Sequence, residues 1–348
     1  MGSELRVVSE DQRTPEYGRS STLSELEQQI IGLLQQNARA SYAELARQLS
    51  VTEKTVRGKV TELLDTGIIE FTIVTDPAAL GYGFAALIGV QVSGDADIVA
   101  MTRVFSAMHN VDYVVAATGR YPIYVEALTR DSLAMLNFVN GELRRVPGVT
   151  DIEVFPYLRL HYQEAQYSIA RSEQKKATSG VRPSSLDDFG RRIVQLLSTD
   201  GRMSFRALAQ KLEVAETTAR QHVQRMTAQG VFRPICLVNP LRLGFRAVAW
   251  LAINAAPTAT LTEVADMLAG TSRISYVAIT AGRFDVFAEA VCADNAELMD
   301  FLEEYVRTSP LISAVETSIY MDLAYKPLTL LRPDADGDAT MNGSRPEA

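Results

Sequence analysis

The second half of this chain repeats the first without a gap, at a constant offset of 163 residues. Leu23 aligns with Leu186, and the register is still kept at Pro147 and Pro310. A period held over so long a span is the signature of a repeated structural unit. The sequence therefore predicts a tandem duplication in which both copies have the same fold.

Each copy begins with three predicted helices, and the second and third are separated by a very short turn. Val56, Val60 and Leu63 recur at the spacing that places side chains on one face of a helix. Thr52 stands at the expected N-cap of that helix, and Gly67 follows its last turn. Two helices joined by so short a turn cross steeply, which is helix-turn-helix geometry. The predicted helices are 23–35, 42–49 and 53–66 in the first copy and 186–198, 205–211 and 216–229 in the second.

The rest of each copy alternates strands and helices. A short extended piece (68–74 and 231–238) follows the helices and is consistent with a wing. Pro77 and Pro240 then interrupt the chain, because the residue before a proline avoids the helical region. The order that follows is β-α-β-β-α-β, which is typical of a ferredoxin-like domain, and its last strands are predicted at 149–157 and 312–319. The predicted fold class is α+β, with two copies of a winged helix-turn-helix plus a ferredoxin-like (βαββαβ) domain.

The composition argues against several classes of protein. A chain of 348 residues suits two or more domains, and 47% hydrophobic residues is ordinary for a globular protein. No apolar run approaches the ~18 residues of a membrane span, and the polar N-terminus lacks the apolar core of a signal peptide, so we expect a cytoplasmic protein without membrane contact. Two cysteines and three widely spaced histidines predict no disulfide framework, no metal site and no cofactor. The GxSxG, GxxxxGK[ST] and HExxH motifs of enzymes are missing, which predicts a protein that is not an enzyme.

These patterns divide the chain into domains joined by polar segments. The predicted boundaries are a disordered N-terminal tail (1–21), a first winged helix-turn-helix (22–75), a first ferredoxin-like domain (82–162), a linker (163–184), a second winged helix-turn-helix (185–238), a second ferredoxin-like domain (245–325) and a disordered C-terminal tail (326–348).

Four motifs make the chain resemble a tandem-duplicated member of the Lrp/AsnC (leucine-responsive/asparagine-regulator, feast/famine) transcriptional regulators. They are the first helix within 26–39, the recognition segment within 49–69, the hinge at 76–82 and again at 239–245, and the turn Gly282-Arg283-Phe284-Asp285. In the family the helix-turn-helix binds DNA, and the ferredoxin-like domain dimerises and binds small effectors, typically amino acids. The resemblance therefore implies double-stranded DNA and an amino acid-like small molecule as partners.

The third helix of each copy carries the candidate DNA-binding residues. Arginine and glutamine side chains can bond base edges bidentately, and threonine and lysine can hold phosphates. The alternative is that these side chains only form the solvated face of a helix. The candidates are Thr52, Lys54, Thr55, Arg57 and Lys59 in the first copy and Thr217, Thr218, Arg220, Gln221 and His222 in the second. Gly58 stands where the family usually has a basic or polar residue.

The turn between the second and third ferredoxin-like strands carries the candidate effector-binding residues. These are Gly119 and Arg120 in the first copy and Gly282, Arg283 and Asp285 in the second. The resemblance gives Asp285 the role of accepting the α-ammonium of an amino acid-like ligand. The alternative is that Asp285 holds its turn by accepting hydrogen bonds from backbone N–H groups. In the first copy proline replaces this aspartate, so that turn departs from the family pattern.

Three further residues in the ferredoxin-like strands are singled out by their type. Trp250 lies in an apolar strand, where a place in the core or at a domain interface is favoured over stacking on a ligand. Glu126 and Glu289 occupy equivalent strand positions, either facing an interface or effector cleft or lying at an exposed sheet edge.

The net charge of the chain and of its two helical segments bears on two alternative hypotheses about function. The predicted function is a sequence-specific transcriptional regulator modulated by an amino acid or similar metabolite. The net charge of −8 is unfavourable for DNA binding, and the first helical segment (22–70) carries −2 whereas the second (186–234) carries +3. An alternative is therefore a metabolite-binding regulator that acts through protein partners and has degenerate DNA-binding heads.

The duplication also predicts an assembly. The family reads DNA as a dimer, and one duplicated chain supplies both heads. We therefore expect the two ferredoxin-like domains to pack on each other as an intrachain pseudo-dimer, or to pair with a second chain in a homo-oligomer.

Overall fold

The computed structural model describes residues 23–75, 77–163 and 186–325. The predicted N- and C-terminal tails, and the predicted linker apart from Gln163, lie outside these residues. The elements of the first copy are α1 (Glu25–Gln36), α2 (Tyr42–Leu49), α3 (Glu53–Asp65), β1 (Ile69–Thr75), β2 (Phe84–Val92), α4 (Ile98–Ala107), β3 (Val111–Ala117), β4 (Ile123–Thr129), α5 (Ser132–Gly141) and β5 (Val149–Gln163). Those of the second are α6 (Asp188–Thr199), α7 (Phe205–Leu212), α8 (Glu216–Ala228), β6 (Phe232–Val238), α9 (Pro240–Leu243), β7 (Ala247–Ala255), α10 (Leu261–Ala269), β8 (Ile274–Thr280), β9 (Val286–Cys292), α11 (Asn295–Phe301) and β10 (Ile312–Tyr325).

Local sequence signals account for the three helices of each head, the name used below for α1–α3 and for α6–α8. The Thr52 hydroxyl accepts a hydrogen bond from the Thr55 N–H at 3.1 Å, as an N-cap should. The turn before it is tightened by Ser50, whose backbone is left-handed at φ 56°, and Glu213 is left-handed at the equivalent position, φ 59°. Ala215 replaces Thr52 in the second copy, so α8 has no side-chain cap.

Each ferredoxin-like domain forms a four-stranded antiparallel sheet with helices on its outer face. In the first domain the strand order is β3-β4-β2-β5, and in the second it is β8-β9-β7-β10. Alternate residues along β2 separate two environments, because Ile88 packs with the outer helices whereas Leu87 faces inward. The predicted fold class is confirmed in both copies.

The two sheets close into one barrel through strands that run past their predicted ends. β5 continues beyond Tyr157 to pair with β8, and β10 continues beyond Ile319 to pair with β3. These pairings cover both edges of each sheet, which would otherwise expose unpaired backbone N–H and C=O groups. The two ferredoxin-like domains therefore pack on each other within one chain.

The extended pieces interpreted as wings form a sheet between the two heads. Each head contributes a single strand, and a single strand cannot satisfy its own backbone hydrogen bonds. β1 pairs with β6 in antiparallel register from Ile69–Val238 to Thr75–Phe232. The extended pieces predicted at 68–74 and 231–238 are therefore strands, and the strand of each head pairs with that of the other head.

Two buried carboxyl groups are held inside the barrel by tyrosines from both domains. Glu126 accepts hydrogen bonds from the hydroxyls of Tyr157 at 2.6 Å and Tyr276 at 2.9 Å. At the equivalent position, Glu289 accepts from Tyr113 at 2.6 Å and Tyr320 at 3.0 Å. One tyrosine of each pair belongs to the other copy, so these clusters join the two domains. An exposed sheet edge is excluded for both glutamates, which are 9% and 3% exposed.

The interior is otherwise packed with aromatic side chains. Trp250 is 1% exposed and makes edge contacts with Tyr276, at 5.6 Å between ring centroids, and with Phe287 at 6.0 Å. Burial of such rings removes large apolar areas from water and fixes their geometry. Trp250 thus lies in the interdomain core, as favoured from its sequence context.

Glu126 makes the barrel sensitive to pH. Burial raises the pKa of Glu126 above its ordinary value of 4.5, and the negative charge of Glu289 raises it further. The hydrogen bonds donated by Tyr157 and Tyr276, together with the hydrogen bond between Glu126 and Asp112, oppose this rise. In the folded protein this carboxyl therefore keeps a proton that it loses in the unfolded chain. Its contribution to stability is present below pH ~4.5 and is lost as the pH rises towards the folded pKa.

We expect Glu126→Gln to reduce the fall in stability as the pH rises above ~4.5, because the amide carries no ionisable proton and its oxygen still accepts from the tyrosines. Denaturant unfolding of both proteins across this range measures the effect. Glu304→Gln, at an exposed position, is the control and should follow wild type. Parallel pH profiles for wild type and Glu126→Gln would contradict the prediction.

Candidate nucleic-acid interface and effector turns

The third helix of each head buries one face and exposes the other. Val56, Val60 and Leu63 of α3 are buried in the head, and Ala219, Val223 and Met226 are their equivalents in α8. The opposite faces are open to solvent, and a Cβ placed on Gly58 would meet no atom within 4 Å. Most predicted DNA-binding residues lie there: Thr52, Lys54, Thr55, Arg57, Thr217, Arg220 and Gln221 are exposed, and Lys59, Thr218 and His222 are partly buried.

The two equivalent arginines have the same surroundings. Arg57 forms an ion pair with Glu53 at 2.7 Å and lies 5.0 Å from the centre of the Tyr42 ring. Arg220 pairs with Glu216 at 2.9 Å and lies 4.5 Å from the centre of the Phe205 ring. The arginine side chains are 62% and 49% exposed, so each ion pair is worth only about 0–1 kcal/mol. A guanine edge or a phosphate can therefore displace the glutamate.

Each aromatic ring is also contacted by an arginine from the opposite head. Arg39 lies 4.9 Å from the Phe205 ring centre, and Arg202 lies 4.7 Å from that of Tyr42. Arg39 also donates to the carbonyl oxygens of Gly201 at 2.6 Å and Met203 at 2.9 Å. We call these reciprocal contacts the arginine clasp; through the shared rings it links the position of each exposed arginine to the packing of the two heads.

The clasp is completed on the opposite side by Arg202, which donates to the Ala40 carbonyl at 2.7 Å. Burial lowers the pKa of both Arg39 and Arg202, yet arginine stays protonated at physiological pH. Cation–π contacts that are partly removed from water are worth about 1–2 kcal/mol each. The clasp therefore adds substantially to the seven residue pairs of the β1–β6 sheet.

Two further predicted DNA-binding residues, Lys59 and His222, also have partners inside their own head. The Lys59 ammonium lies 3.0 Å from both Glu27 and Glu62. His222 packs edge-on against Phe189, at 4.8 Å between ring centroids, and its Nδ1 lies 2.9 Å from an Arg225 nitrogen. DNA contact by either side chain remains a prediction.

The effector turns lie where the two domains meet. Gly119 and Gly282 have left-handed backbones, φ 97° and 126°, which glycine adopts without strain. Arg120 forms an ion pair with Glu316 at 3.3 Å, and Arg283 forms the equivalent pair with Glu153 at 3.1 Å. Each turn is thus fastened to the last strand of the other copy.

Asp285 is engaged with the backbone in the way that the turn-holding alternative predicts. Its Oδ2 accepts a hydrogen bond from the Ala255 N–H at 2.9 Å, and the residue is partly buried. Capture of a ligand ammonium by the same carboxylate is not tested by this arrangement and remains a prediction.

The described part of the chain holds neither a metal cluster nor a candidate membrane span. Within 23–75, 77–163 and 186–325, no three His, Cys, Asp or Glu side chains converge so as to bind a metal ion. Within the same ranges no helix is both long and apolar enough to cross a bilayer. Cys236 and Cys292 are both buried, and burial raises the pKa of the Cys236 thiol to about 12.

The contacts that fasten one copy to the other could not be assigned from the sequence. Arg39 and Arg202 are visible as an equivalent pair within the repeat, but nothing in a linear pattern shows that each reaches into the opposite head. The same holds for Glu153 and Glu316, which occupy equivalent strand positions. An arginine repeated at a helix-to-helix turn, together with a repeated aromatic residue three positions later, is the signal that was available.

Two helix-turn-helix heads carried on a closed α+β barrel define a DNA-binding regulator with an attached ligand-binding domain. A family description for the AsnC-type helix-turn-helix domain matches residues 23–64 and again 186–227. The Lrp/AsnC ligand-binding domain matches residues 85–167, and a C-terminal dimeric alpha+beta barrel domain matches residues 253–327. The chain belongs to the Lrp/AsnC family of helix-turn-helix transcriptional regulators.

Relatives from two Pyrococcus species match part of this chain over most of their own length. The uncharacterized HTH-type transcriptional regulator PH0140 of Pyrococcus horikoshii is 35% identical over 135 residues, which cover 38% of this chain and 85% of that protein. PF1231 of Pyrococcus furiosus is 33% identical over 135 residues, 38% of this chain and 90% of that protein. Among solved structures, the siroheme decarboxylase NirDL has a TM-score of 0.57 over 90% of this chain and 96% of its own, at 16% identity, which shows similarity of fold alone.

We expect Arg57→Ala and Arg220→Ala each to weaken specific DNA binding by ~1–3 kcal/mol, because each removes a bidentate donor from an exposed recognition face. Gel-shift titration at a fixed salt concentration measures the loss. Arg307→Ala, on the outer surface of the barrel and also in an exposed ion pair, is the matched control. Unchanged affinity in both recognition variants would remove these arginines from the interface.

Proposed function

We propose that this chain is a transcriptional regulator that reads an asymmetric DNA site with two non-identical heads. The observation that carries the proposal is the equivalent placement of Arg57 and Arg220, each exposed on the third helix of a head and each backed by an aromatic ring. A good bidentate contact with a base is worth about 1–3 kcal/mol, more than the exposed ion pair it replaces. We propose that threonine hydroxyls at the start of both helices hold phosphates.

The asymmetry comes from residues that differ between two otherwise matched helices. Lys54 and Gly58 of α3 correspond to Thr217 and Gln221 of α8. Glutamine offers a donor and an acceptor to an adenine edge, whereas glycine offers neither. The two half-sites should therefore differ in sequence, and the second head, with the higher net charge, should contribute more of the salt-dependent affinity.

We expect grafting the first head onto the second, by Thr217→Lys with Gln221→Gly, to shift the selected DNA from two different half-sites towards an inverted repeat. Selection from a random DNA pool followed by footprinting measures the preference. The control is the exchange Arg307→Lys on the barrel, which leaves both recognition helices unchanged. A strict inverted repeat selected by the wild-type chain would contradict the proposed asymmetry.

We also propose that an amino acid-like metabolite controls DNA binding through the second effector turn. The turn keeps the family pattern at Gly282, Arg283 and Asp285, and the Arg283–Glu153 ion pair spans the two domains there. A ligand that competes for either side chain changes how the domains are fastened together. The first turn has proline in place of the aspartate, so this proposal concerns the second turn.

We expect at least one amino acid to bind the wild-type chain in calorimetric titration and to lose affinity about tenfold in Asp285→Asn, because the neutral amide no longer pairs with an ammonium group. Pro122→Asp provides the matched gain-of-function test at the first turn. Identical titrations for wild type and Asp285→Asn would leave this aspartate with its backbone contact alone.

The competing hypothesis of degenerate heads and protein partners makes a different prediction about salt. A chain that contacts phosphates through several cations loses DNA affinity steeply as salt rises. Weak binding with little salt dependence would favour that hypothesis. We also propose that the chain acts in regulation rather than in catalysis. This proposal rests on the equivalent, exposed positions of Arg57 and Arg220 on the third helices of the two heads.

We propose that the chain also self-associates. Leu158 and Met321 occupy equivalent outward positions on the strands that join the domains, and they are 65% and 67% exposed. Leu136 and Met299, equivalent positions on α5 and α11, are 54% and 61% exposed. Repeated apolar side chains on an outer surface are typical of a protein-protein contact, and a second copy of the chain is the partner we propose.

A further inference from the structure

A groove of about 500 Å³ lies between the two heads on one side of their shared sheet. Its walls come from the end of α1 and the following turn in the first head and from α7, α8 and β6 in the second. The volume lies within the range of small-molecule sites, about 300–1,000 Å³. The duplication places a second set of residues in the same positions on the opposite side, which we call the closed side because Gly201 packs directly against β1 there.

Two substitutions between the copies explain why one side is open. On the closed side Gly201 packs against β1, where its N–H donates to the Phe71 carbonyl at 2.9 Å. A Cβ on Gly201 would lie 2.4 Å from the Thr72 carbonyl oxygen, so only glycine allows this approach. On the open side the equivalent residue is Ala38, whose Cβ does not allow it.

The aromatic side chain that fills the closed side is also missing from the groove. Phe71 is 7% exposed, and Arg202 stacks on it at 4.9 Å. Its equivalent is Pro234, which lines the groove and is too small to fill it. The groove therefore follows from the sequence of this one side and is not a general property of two heads packed together.

The charges of the two sides are opposite. Among the described residues that line the groove, none carries a carboxylate, and the guanidinium groups of Arg39 and Arg233 are the charged ones. On the closed side the residues equivalent to Asn37, Ala228 and Arg233 are Asp200, Asp65 and Glu70. The open side thus carries two cations and no carboxylate among these residues, whereas the closed side carries three carboxylates beside the single cation Arg202, the equivalent of Arg39.

The remaining wall combines apolar surface with neutral hydrogen-bonding groups. Phe205, Val223 and Ile235 supply apolar contacts, and Gln36 and Gln224 supply amides. A small anion with an apolar body matches this lining, because arginine recognises carboxylates through paired N–H donors in a planar fork.

We propose that the groove is a binding site for a small organic carboxylate with an apolar body, distinct from the effector turns in the barrel. Such a ligand contacts α1 of the first head and the recognition helix α8 of the second at once. Its binding therefore stabilises one spacing of the two heads. The binding itself is independent of the proposed function, whereas its effect on DNA affinity rests on that function.

The experiment is calorimetric or NMR titration of the full chain, without DNA, with phenylacetate as the probe and with phenylacetamide and phenethylamine as its neutral and cationic counterparts. We expect phenylacetate to bind with a Kd on the order of 1 mM, about tenfold or more tighter than phenethylamine. Arg233→Gln should remove this preference for the anion.

Variants that copy residues of the closed side into the groove locate the site. Pro234→Phe restores the aromatic residue that fills the closed side and should abolish binding. Asp65→Ala, the mirror position of Ala228 on the closed side, is the control and should leave the affinity unchanged. Thermal unfolding of each variant verifies that the heads remain folded.

The experiment tests binding in the groove separately from the effect of that binding on DNA affinity. No binding of phenylacetate at roughly 10 mM, or equal binding in wild type and folded Pro234→Phe, overturns the proposed site. The effect on regulation is read separately, as a change in DNA affinity when phenylacetate is added to wild type and its absence in Pro234→Phe. A chain that binds the probe but not DNA retains the site and loses the proposed function.

Discussion

The pairing of strands between the two copies is the constraint on which the rest of this structure depends. Each four-stranded sheet has two edges, and an unpaired edge exposes a row of backbone groups that must be satisfied. β5 and β10 run past the end of their own sheets and pair with β8 and β3, which closes the barrel. Closure of the barrel brings together the glutamates and tyrosines of its interior and the Arg120–Glu316 and Arg283–Glu153 ion pairs.

The two heads are also joined by strand pairing between the copies. A single strand from each head pairs with the other, and Arg39 and Arg202 then cross the junction to the aromatic rings of Phe205 and Tyr42. Because those rings also contact Arg220 and Arg57, the packing of the heads and the placement of these two candidate DNA-binding arginines depend on the same side chains. The two sides of the junction differ because the two copies differ in sequence. On the open side Ala38 stands in place of Gly201, and Pro234 stands in place of Phe71.

Much of the fold could be predicted from the sequence because its signals are local. The helical spacing of Val56, Val60 and Leu63 and the cap at Thr52 specify α3, and the prolines mark the hinges. The extensions of β5 and β10 could not be predicted, since their hydrogen-bonding partners lie in the other copy and a strand pattern does not name its partner. The reach of Arg39 across the junction, the burial of Glu126 and the pairing of β1 with β6 could not be predicted for the same reason.

The packing of the two heads within one chain implies that the recognition helices are held at a fixed spacing. Spin labels attached to cysteines introduced at Gly58 and Gln221, two exposed equivalent positions, allow that spacing to be measured by pulsed electron resonance, since the native cysteines are buried. A fixed intrachain spacing predicts one narrow distance distribution that does not change when labelled protein is diluted with unlabelled protein. A broad distribution, or a distance that disappears on such dilution because the heads pair between chains, would contradict it.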